Sequence, residues 1–381
     1  MALLSPSPDA ALREAALEAY RTLPAPGPPP GRFWKVDIAR IDAESLPTVE
    51  AQAGVEIAPQ LAAQGVRAYD LATARRDIPG ILGPALGSAV DWRAHKFAAL
   101  NVARRDAGLV IVIPDGVDAS APIAIRRRAG AGAAYPYTLV VAGRRSHATV
   151  VSRLEGDDIL VSEVVELVAE DQASLTFAAV QTLGPSSRIF SVKAGTAAQD
   201  ARLRWAIAEL GAGLSASSIR SLVQARGAET TIGGIFFADG SQHIDLESEV
   251  DHRVGDTRSE TIFKSAATGD GQARYVGNIR IRPHAKGSDA TLRDDALLLS
   301  PRAHIDSIPA LEIGSNDVRA FHGATVGAIR EDEVFYAMTR GLPRSAAERM
   351  IALGFFEPAL AGFPTDTLRD DVRDALARKI G

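Results

Sequence analysis

The sequence predicts an all-β body, a right-handed parallel β-helix, flanked by N-terminal and C-terminal helical regions. Three observations carry this. From about residue 137 to 330, short runs rich in β-forming residues recur at intervals of roughly 12–15 residues, separated by Gly, Asp, Ser or Asn. Asn-Gly and Asp-Gly turns, which the hairpins of a sandwich require, are few between them. Helical patterns flank the series at both ends, where a solenoid needs caps over its edges and core.

The chain divides by pattern into a mixed helical cap (1–136), the β-helix (137–330) and a C-terminal helical region (331–381). The cap opens with a helix that Ser7 can cap, with Pro8 in its first turn and an apolar stripe of Leu12, Ala15, Ala16, Ala19 and Leu23. Leu23-Pro-Ala-Pro-Gly-Pro-Pro-Pro-Gly31 then forces an extended connector, and Phe33 and Trp34 are placed to anchor it. Ile81–Leu100 reads as partly helical. Gly108-Leu-Val-Ile-Val-Ile-Pro114 reads as a strand closed by the turn Pro114-Asp-Gly116.

Within the β-helix the strands read are Ala148–Leu154, Val161–Val168, Ser174–Leu183, Ile189–Val192, Leu203–Leu210, Ser215–Val223, Glu229–Phe237, His243–His252, Glu260–Ala266, Arg274–Ile281, Thr291–Leu299 and Val318–Ile329. In His243–His252 the alternation puts Ile244, Leu246 and Val250 on one face and Asp245, Glu247, Glu249 and Asp251 on the other. The simplest reading of the acidic row is a solvated outer face. Two such rows meeting in a cleft would instead supply the acid and base of a polysaccharide-cleaving enzyme.

Two helices end the chain. The first carries a capping box, Ser345-Ala-Ala-Glu348, and Gly354 suits its end. The second places Leu368, Val372, Leu376 and Ile380 at four-residue spacing. Asp366, Asp370 and Asp371 sit near its start, and Arg378 and Lys379 near its end.

Composition excludes several function classes. A net charge of −5 argues against nucleic-acid partners. No run of about 18 apolar residues exists to span a membrane. No signal peptide is evident, so a cytoplasmic location is expected. No P-loop, Rossmann glycine pattern, H-E-x-x-H or G-x-S-x-G occurs. Arg126-Arg127-Arg128 and Arg144-Arg145 have few aromatic neighbours and read as solvated loops or a contact surface. There is no cysteine, which removes disulfide and thiolate chemistry and leaves His, carboxylate and backbone groups as donors.

Seven histidines remain: His95, His147, His243, His252, His284, His304 and His322. None forms a close pair at metal-ligand spacing. Strand parity places His252 inward with Leu246 and Val250, as a hydrogen-bonded core histidine. The same parity places His322 with Val318, Ala320, Ala324 and Val326, and on periodicity alone it too is core.

Several ordered stretches resemble one family. They are Leu297-Leu-Leu-Ser300, Ile308-Pro-Ala-Leu-Glu-Ile313, Asn316-Asp-Val-Arg-Ala-Phe-His-Gly-Ala-Thr-Val-Gly327, Val334-Phe-Tyr336, Thr339-Arg-Gly341 and Gly354-Phe355. Phe97-Ala-Ala-Leu-Asn101 and Phe33-Trp34-Lys35 add to them. Together they are similar to the SufB/SufD family of iron–sulfur cluster assembly proteins. The likeness covers roughly residues 95–357 and is densest from 243 to 355. The His322 pattern and the missing cysteine resemble the SufD side of that family. Relatives there often carry Cys two residues before the histidine, where this chain has Ala320.

The resemblance implies a non-catalytic scaffold subunit. It implies pairing with a SufB-like homologue through the C-terminal part of the β-helices, and docking of a SufC-like ABC ATPase on the C-terminal helices. It allows a homodimer in isolation. It implies no cofactor held stably by this chain alone, and a transient Fe–S cluster at the partner interface. His322 matches the family's interface position, which makes it the candidate for cluster assembly and for transient iron ligation. The alternative from a different class is a β-helix carbohydrate-active enzyme, a lyase or hydrolase.

Overall fold

The computed structural model describes residues 8–23, 41–105 and 107–381. The expected cap Ser7, most of the proline connector, and Phe33 and Trp34 lie outside the described residues. Helix α1 spans Pro8–Thr22. Next come β1 (Gln52–Glu56), α2 (Pro59–Ala63), β2 (Arg67–Asp70), α3 (Leu71–Asp77), α4 (Pro79–Ala85) and α5 (Lys96–Arg104). The stretch 81–100 is therefore helical at its two ends, as its mixed pattern predicts.

The strands follow as β3 (Leu109–Ile113), β4 (Ile123–Ala129), β5 (Gly132–Ala134), β6 (Tyr137–Ala142), β7 (His147–Gly156), β8 (Ile159–Ala169), β9 (Ser174–Gln181), β10 (Arg188–Ala197), β11 (Arg202–Glu209), β12 (Leu214–Val223), β13 (Glu229–Ala238), β14 (His243–His252), β15 (Arg258–Ala267), β16 (Gln272–Ile281), β17 (Ser288–Leu298), β18 (His304–Ile313) and β19 (Val318–Ala328). Helices α6 (Glu331–Thr339), α7 (Arg344–Leu360) and α8 (Asp366–Ile380) close the chain.

From β6 onward the chain alternates between two sheets, even-numbered strands in one and odd-numbered strands in the other. Pairing along both sheets is parallel and in register from coil to coil. The expected parallel β-solenoid is therefore the fold, with helices at both ends. Strands β3 to β5 already belong to these sheets before residue 137.

Parallel register stacks like positions into rows. One inward row of the odd sheet runs Val150, Phe177, Trp205, Ile232, Thr261, Leu292 and His322. The first six are buried in the core between the sheets. Trp205 meets Phe177 edge-on at 5.8 Å, and its indole N–H donates to Ser221 Oγ at 3.0 Å. At one coil corner Gly227 (φ 70°) takes the left-handed conformation that glycine adopts without strain, close over the Asp200 carboxylate.

Helices cover the outer faces. The even sheet takes the N-terminal helices, with Phe97 of α5 stacked on Phe190 at 3.5 Å. Asn101 ties α5 down by donating to Pro136 O (3.0 Å) and Ser162 O (2.6 Å), which gives the Phe97–Asn101 motif a structural role. The odd sheet takes α7 and α8, whose Phe356, Leu360, Leu368, Val372 and Leu376 are buried against it.

Four local expectations are corrected. The capping box of α7 does not form: Pro343 is its N-cap, no side chain caps it, and Glu348 pairs with Arg344 at 3.0 Å. Helix α7 also runs through Gly354 to Leu360, because its buried face against the odd sheet outweighs one glycine. Arg127 is no loop residue. It lies buried in β4 and donates to Thr138 Oγ1 at 2.7 Å, while Arg126 and Arg128 stay exposed.

The acidic row of β14 is not a freely solvated face either. Asp245 is buried and held by both guanidinium arms of Arg274 (2.9 and 3.0 Å). Asp251 is buried among Arg282 (2.8 Å), Arg220 (3.2 Å) and Arg253 (3.3 Å). Each carboxylate finds its cation on a neighbouring coil or turn, which satisfies the charge that burial would otherwise penalise. No free acid–base pair remains in this row for glycoside cleavage.

Candidate functional site

The last strand decides what the solenoid presents. Strands β18 and β19 end their sheets, each bonded on one side only, to β16 and β17. Their other edges carry unpaired backbone groups, a template for another chain. All the exposed large apolar side chains among the described residues, except Leu46 and Ile81, lie between Ile308 and Met350. Ile308, Ile313, Phe321 and Val326 belong to the two edge strands, and Phe321 is 59% exposed.

His322 lies on this edge. Its parity is inward, as the alternation predicts, and it stacks over buried Leu292. Yet it is exposed, because no coil follows to cover it. The core reading that periodicity alone favours is therefore overturned by position: the row is right and the burial is not. Gly323 beside it makes room for a ring of its own chain, since a Cβ there would touch Phe321 at 3.3 Å.

His252 is the core histidine the pattern predicts. It is fully buried, with Nδ1 and Nε2 each 2.8 Å from a hydroxyl, those of Thr257 and Ser259. Burial pulls its pKa down to about 4, against a small upward pull from Asp251.

Two polar groups inside the solenoid escaped the sequence. In the N-terminal half, Lys193 sits between Glu163 (3.3 Å) and Glu209 (3.5 Å), all buried. Burial pulls the Lys193 pKa down, but the two carboxylates outweigh it and the net shift is upward. Ser191, Ser215 and Ser217 donate to the carboxylates at 2.6–3.1 Å, so the cluster is satisfied. Near the open end, Asp294 is also fully buried, but neither of its oxygens has a hydrogen-bond partner. Burial pushes its pKa up to about 7. Only the inward parity of β17, shared with Leu292 and Ala296, distinguishes Asp294 from its neighbour Asp295 in the sequence.

Behind the open edge, α6 and α7 form a second exposed surface. Phe335 (68% exposed), Tyr336, Met338 and Met350 project from it. A groove of about 650 Å³ runs between Tyr336, Arg340, Leu342, Met350 and Ile351.

Residues 125–355 match the family model described as "SUF system FeS cluster assembly, SufBD core domain". The chain belongs to that SufBD family. A SufBD family protein of Staphylococcus epidermidis is 25% identical over 345 residues, covering 88% of this chain and 74% of its own length. The Bacillus subtilis iron-sulfur cluster assembly protein SufD is 25% identical over 340 residues (87% and 78%), and the SufB protein of the same organism 24% over 345 (88% and 74%). Identity to the SufB and SufD relatives is thus nearly equal. The SufBD match includes the open edge, His322 and all of α6. Among the described residues no helix is long and apolar enough to cross a membrane. No three His, Asp or Glu side chains among them are grouped to hold a metal.

Proposed function

We propose that this chain is the SufD-type scaffold of a SUF cluster-assembly complex and carries no catalysis of its own. Its open solenoid end pairs with a SufB-type, cysteine-bearing homologue. The α6–α7 surface docks a SufC-type ATPase. A nascent cluster is substrate at the paired ends, with His322 as this chain's contribution, and no cofactor is held by this chain alone. The observation that carries the reading is the difference between the ends: one is plugged, the other presents bare edges, exposed apolar side chains and His322.

The physical case is direct. Two solenoids of like coil can continue each other's sheets edge to edge, burying Ile308, Ile313, Phe321 and Val326 and satisfying their edge groups. The total absence of thiols supports the supporting role, because sulfur carried as a persulfide requires one. A cytoplasmic site of action and a homodimer in the absence of the SufB-type partner belong to the same proposal.

Co-expression with a SufB-type and a SufC-type protein tests it. A stable three-protein complex that forms cluster anaerobically from iron, a sulfur donor and ATP is expected. Recovery of this chain alone, with both partners present and folded, overturns it.

A further inference from the structure

Arginines from three separate elements line one cavity in the helical cap. Arg13 lies on α1, Arg75 on α3, and Arg105 directly follows α5 as its C-cap. The cavity holds about 140 Å³, with Leu12, Leu71 and Val102 among its walls. Among the described residues no carboxylate lines it. It belongs to the plugged end of the solenoid, where α3 follows β2 and the chain after α5 enters β3.

Arg105 is held there but not neutralised. Its guanidinium stacks on the Tyr137 ring, 4.2 Å from the centroid, and no described residue accepts a hydrogen bond from it or pairs with it. The nearby carboxylate, Glu166, is already committed. It accepts the Tyr137 hydroxyl at 2.7 Å and the backbone N–H groups of Gly87, Ala89 and Val90 at 2.9–3.1 Å. Burial pulls the Arg105 pKa down. Tyr137 and Glu166 pull it back, and the charges of Arg75 and Arg13 lower it again. A cation at a helix C-terminus complements the helix dipole, but Arg104 already does so in the last turn of α5. That ordinary role leaves unexplained why α1 and α3 add Arg13 and Arg75 around the same space.

Like charges gathered around a cavity are relieved by an anion. Guanidinium forks meet phosphate oxygens two at a time. At roughly 30 Å³ per water the space takes about four or five waters, the bulk of a phosphate or diphosphate group and not of a nucleoside. We infer that Arg13, Arg75 and Arg105 form a binding site for a phosphate-bearing small molecule, whose phosphate or diphosphate group enters the cavity between α1, α3 and α5. The apolar walls limit water around the bound oxygens and leave the rest of the carrier outside. The site is independent of the proposed function and lies at the opposite end of the solenoid from His322.

Inorganic diphosphate, inorganic phosphate and citrate are the probes, titrated calorimetrically into the full chain at fixed ionic strength. Diphosphate is expected to bind at one site, more tightly than phosphate, because it meets more of the guanidinium donors. Arg105→Gln and Arg75→Gln should each weaken it about tenfold, the loss of one charge-assisted donor group. Arg13→Gln should weaken it less, since Arg13 is the more exposed. Arg76→Gln, in the same helix as Arg75 but paired with Asp77 at 2.8 Å, should leave it unchanged. Diphosphate should also raise the melting temperature of the wild type and not that of Arg75→Gln. If Arg105→Gln melts below the wild type, Arg75→Gln decides alone. A wild-type chain that takes up no diphosphate at millimolar concentration overturns the site, as does unchanged affinity in Arg75→Gln. Citrate binding as tightly as diphosphate overturns the assignment to phosphate.

Discussion

The two ends of the solenoid are built differently. At the first coil, the sheets finish in the short strands β1 and β2, which pair antiparallel with β4 and β3. Leu61 of α2 and Val66 plug the interior there, buried against Ile111, Ile113, Ile123 and Ile125. At the last coil, β18 and β19 are long, parallel to their neighbours and uncovered on their outer edges. Long bare edges invite aggregation unless they have a purpose. The difference teaches that the fold spends a capping element on one end and withholds it from the other, which is how an interface is built from a repeat.

The sharpest way to test this is to make the same cut at two places in one row. Trp205 and His322 share an inward row, but Trp205 has coils on both sides. Trp205→Ala should cost about 3–5 kcal/mol in chemical denaturation, since it leaves a cavity in a fully buried row and removes one of the two hydrogen bonds of Ser221. A loss as small as that of a surface substitution would show that the interior is not the continuous packed core that the register implies.

Much of this was legible in the sequence, and the failures have physical reasons. The strand series was readable because each coil turns at Gly, Asp, Ser or Asn, so boundaries recur even though pairing partners are a full coil apart. Strand β18 was missed because Pro309 interrupts it. Proline is tolerated on a strand whose second edge is unpaired, so the same residue could have been read as a mark of the open end. The burial of Asp245 and Asp251 was hidden because a partner such as Arg274 or Arg282 lies about one coil further along. The exposure of His322 was hidden because alternation gives the direction of a side chain but not whether another coil covers it.

A second test separates interior from edge by pH. The folded-state pKa of His252, about 4, lies below its ordinary value of 6.5. The unfolded chain therefore binds the proton first as pH falls. Stability from the neutral buried ring is fully present above pH 6.5 and is lost as pH drops toward 4, by about 3 kcal/mol. Replacing His252 with Asn should flatten the slope of unfolding free energy over that window by up to about one proton. An unaltered slope would mean that His252 is not the group responsible.

The helical surface behind the open edge gives the next prediction. Removing residues 342–381 is a poor test, because α7 and α8 bury the outer face of the odd sheet. Point changes are cleaner. Phe335→Ala with Met350→Ala should weaken capture of the SufC-type ATPase at least tenfold, about 1.4 kcal/mol. The melting temperature should hold, since both side chains are exposed. Undiminished capture would move the docking surface away from α6 and α7.

The smallest expected change in stability falls on the residue with the largest expected change in function. His322 has Leu292 on one side and solvent on the other. A core histidine cut to Ala leaves a cavity and an unpaired partner, at a cost of roughly 2–4 kcal/mol. An exposed one leaves neither, so His322→Ala should change unfolding free energy by less than about 0.5 kcal/mol. Cluster formed per folded complex should nevertheless fall, because the imidazole is this chain's one nitrogen donor on the inward row of the open edge. Melting and anaerobic reconstitution on the same preparation distinguish the outcomes. Wild-type cluster yield from a variant that pairs normally would remove His322 from the assembly chemistry. It would leave the open end as a purely mechanical joint, held by its edges and by Ile308, Ile313, Phe321 and Val326.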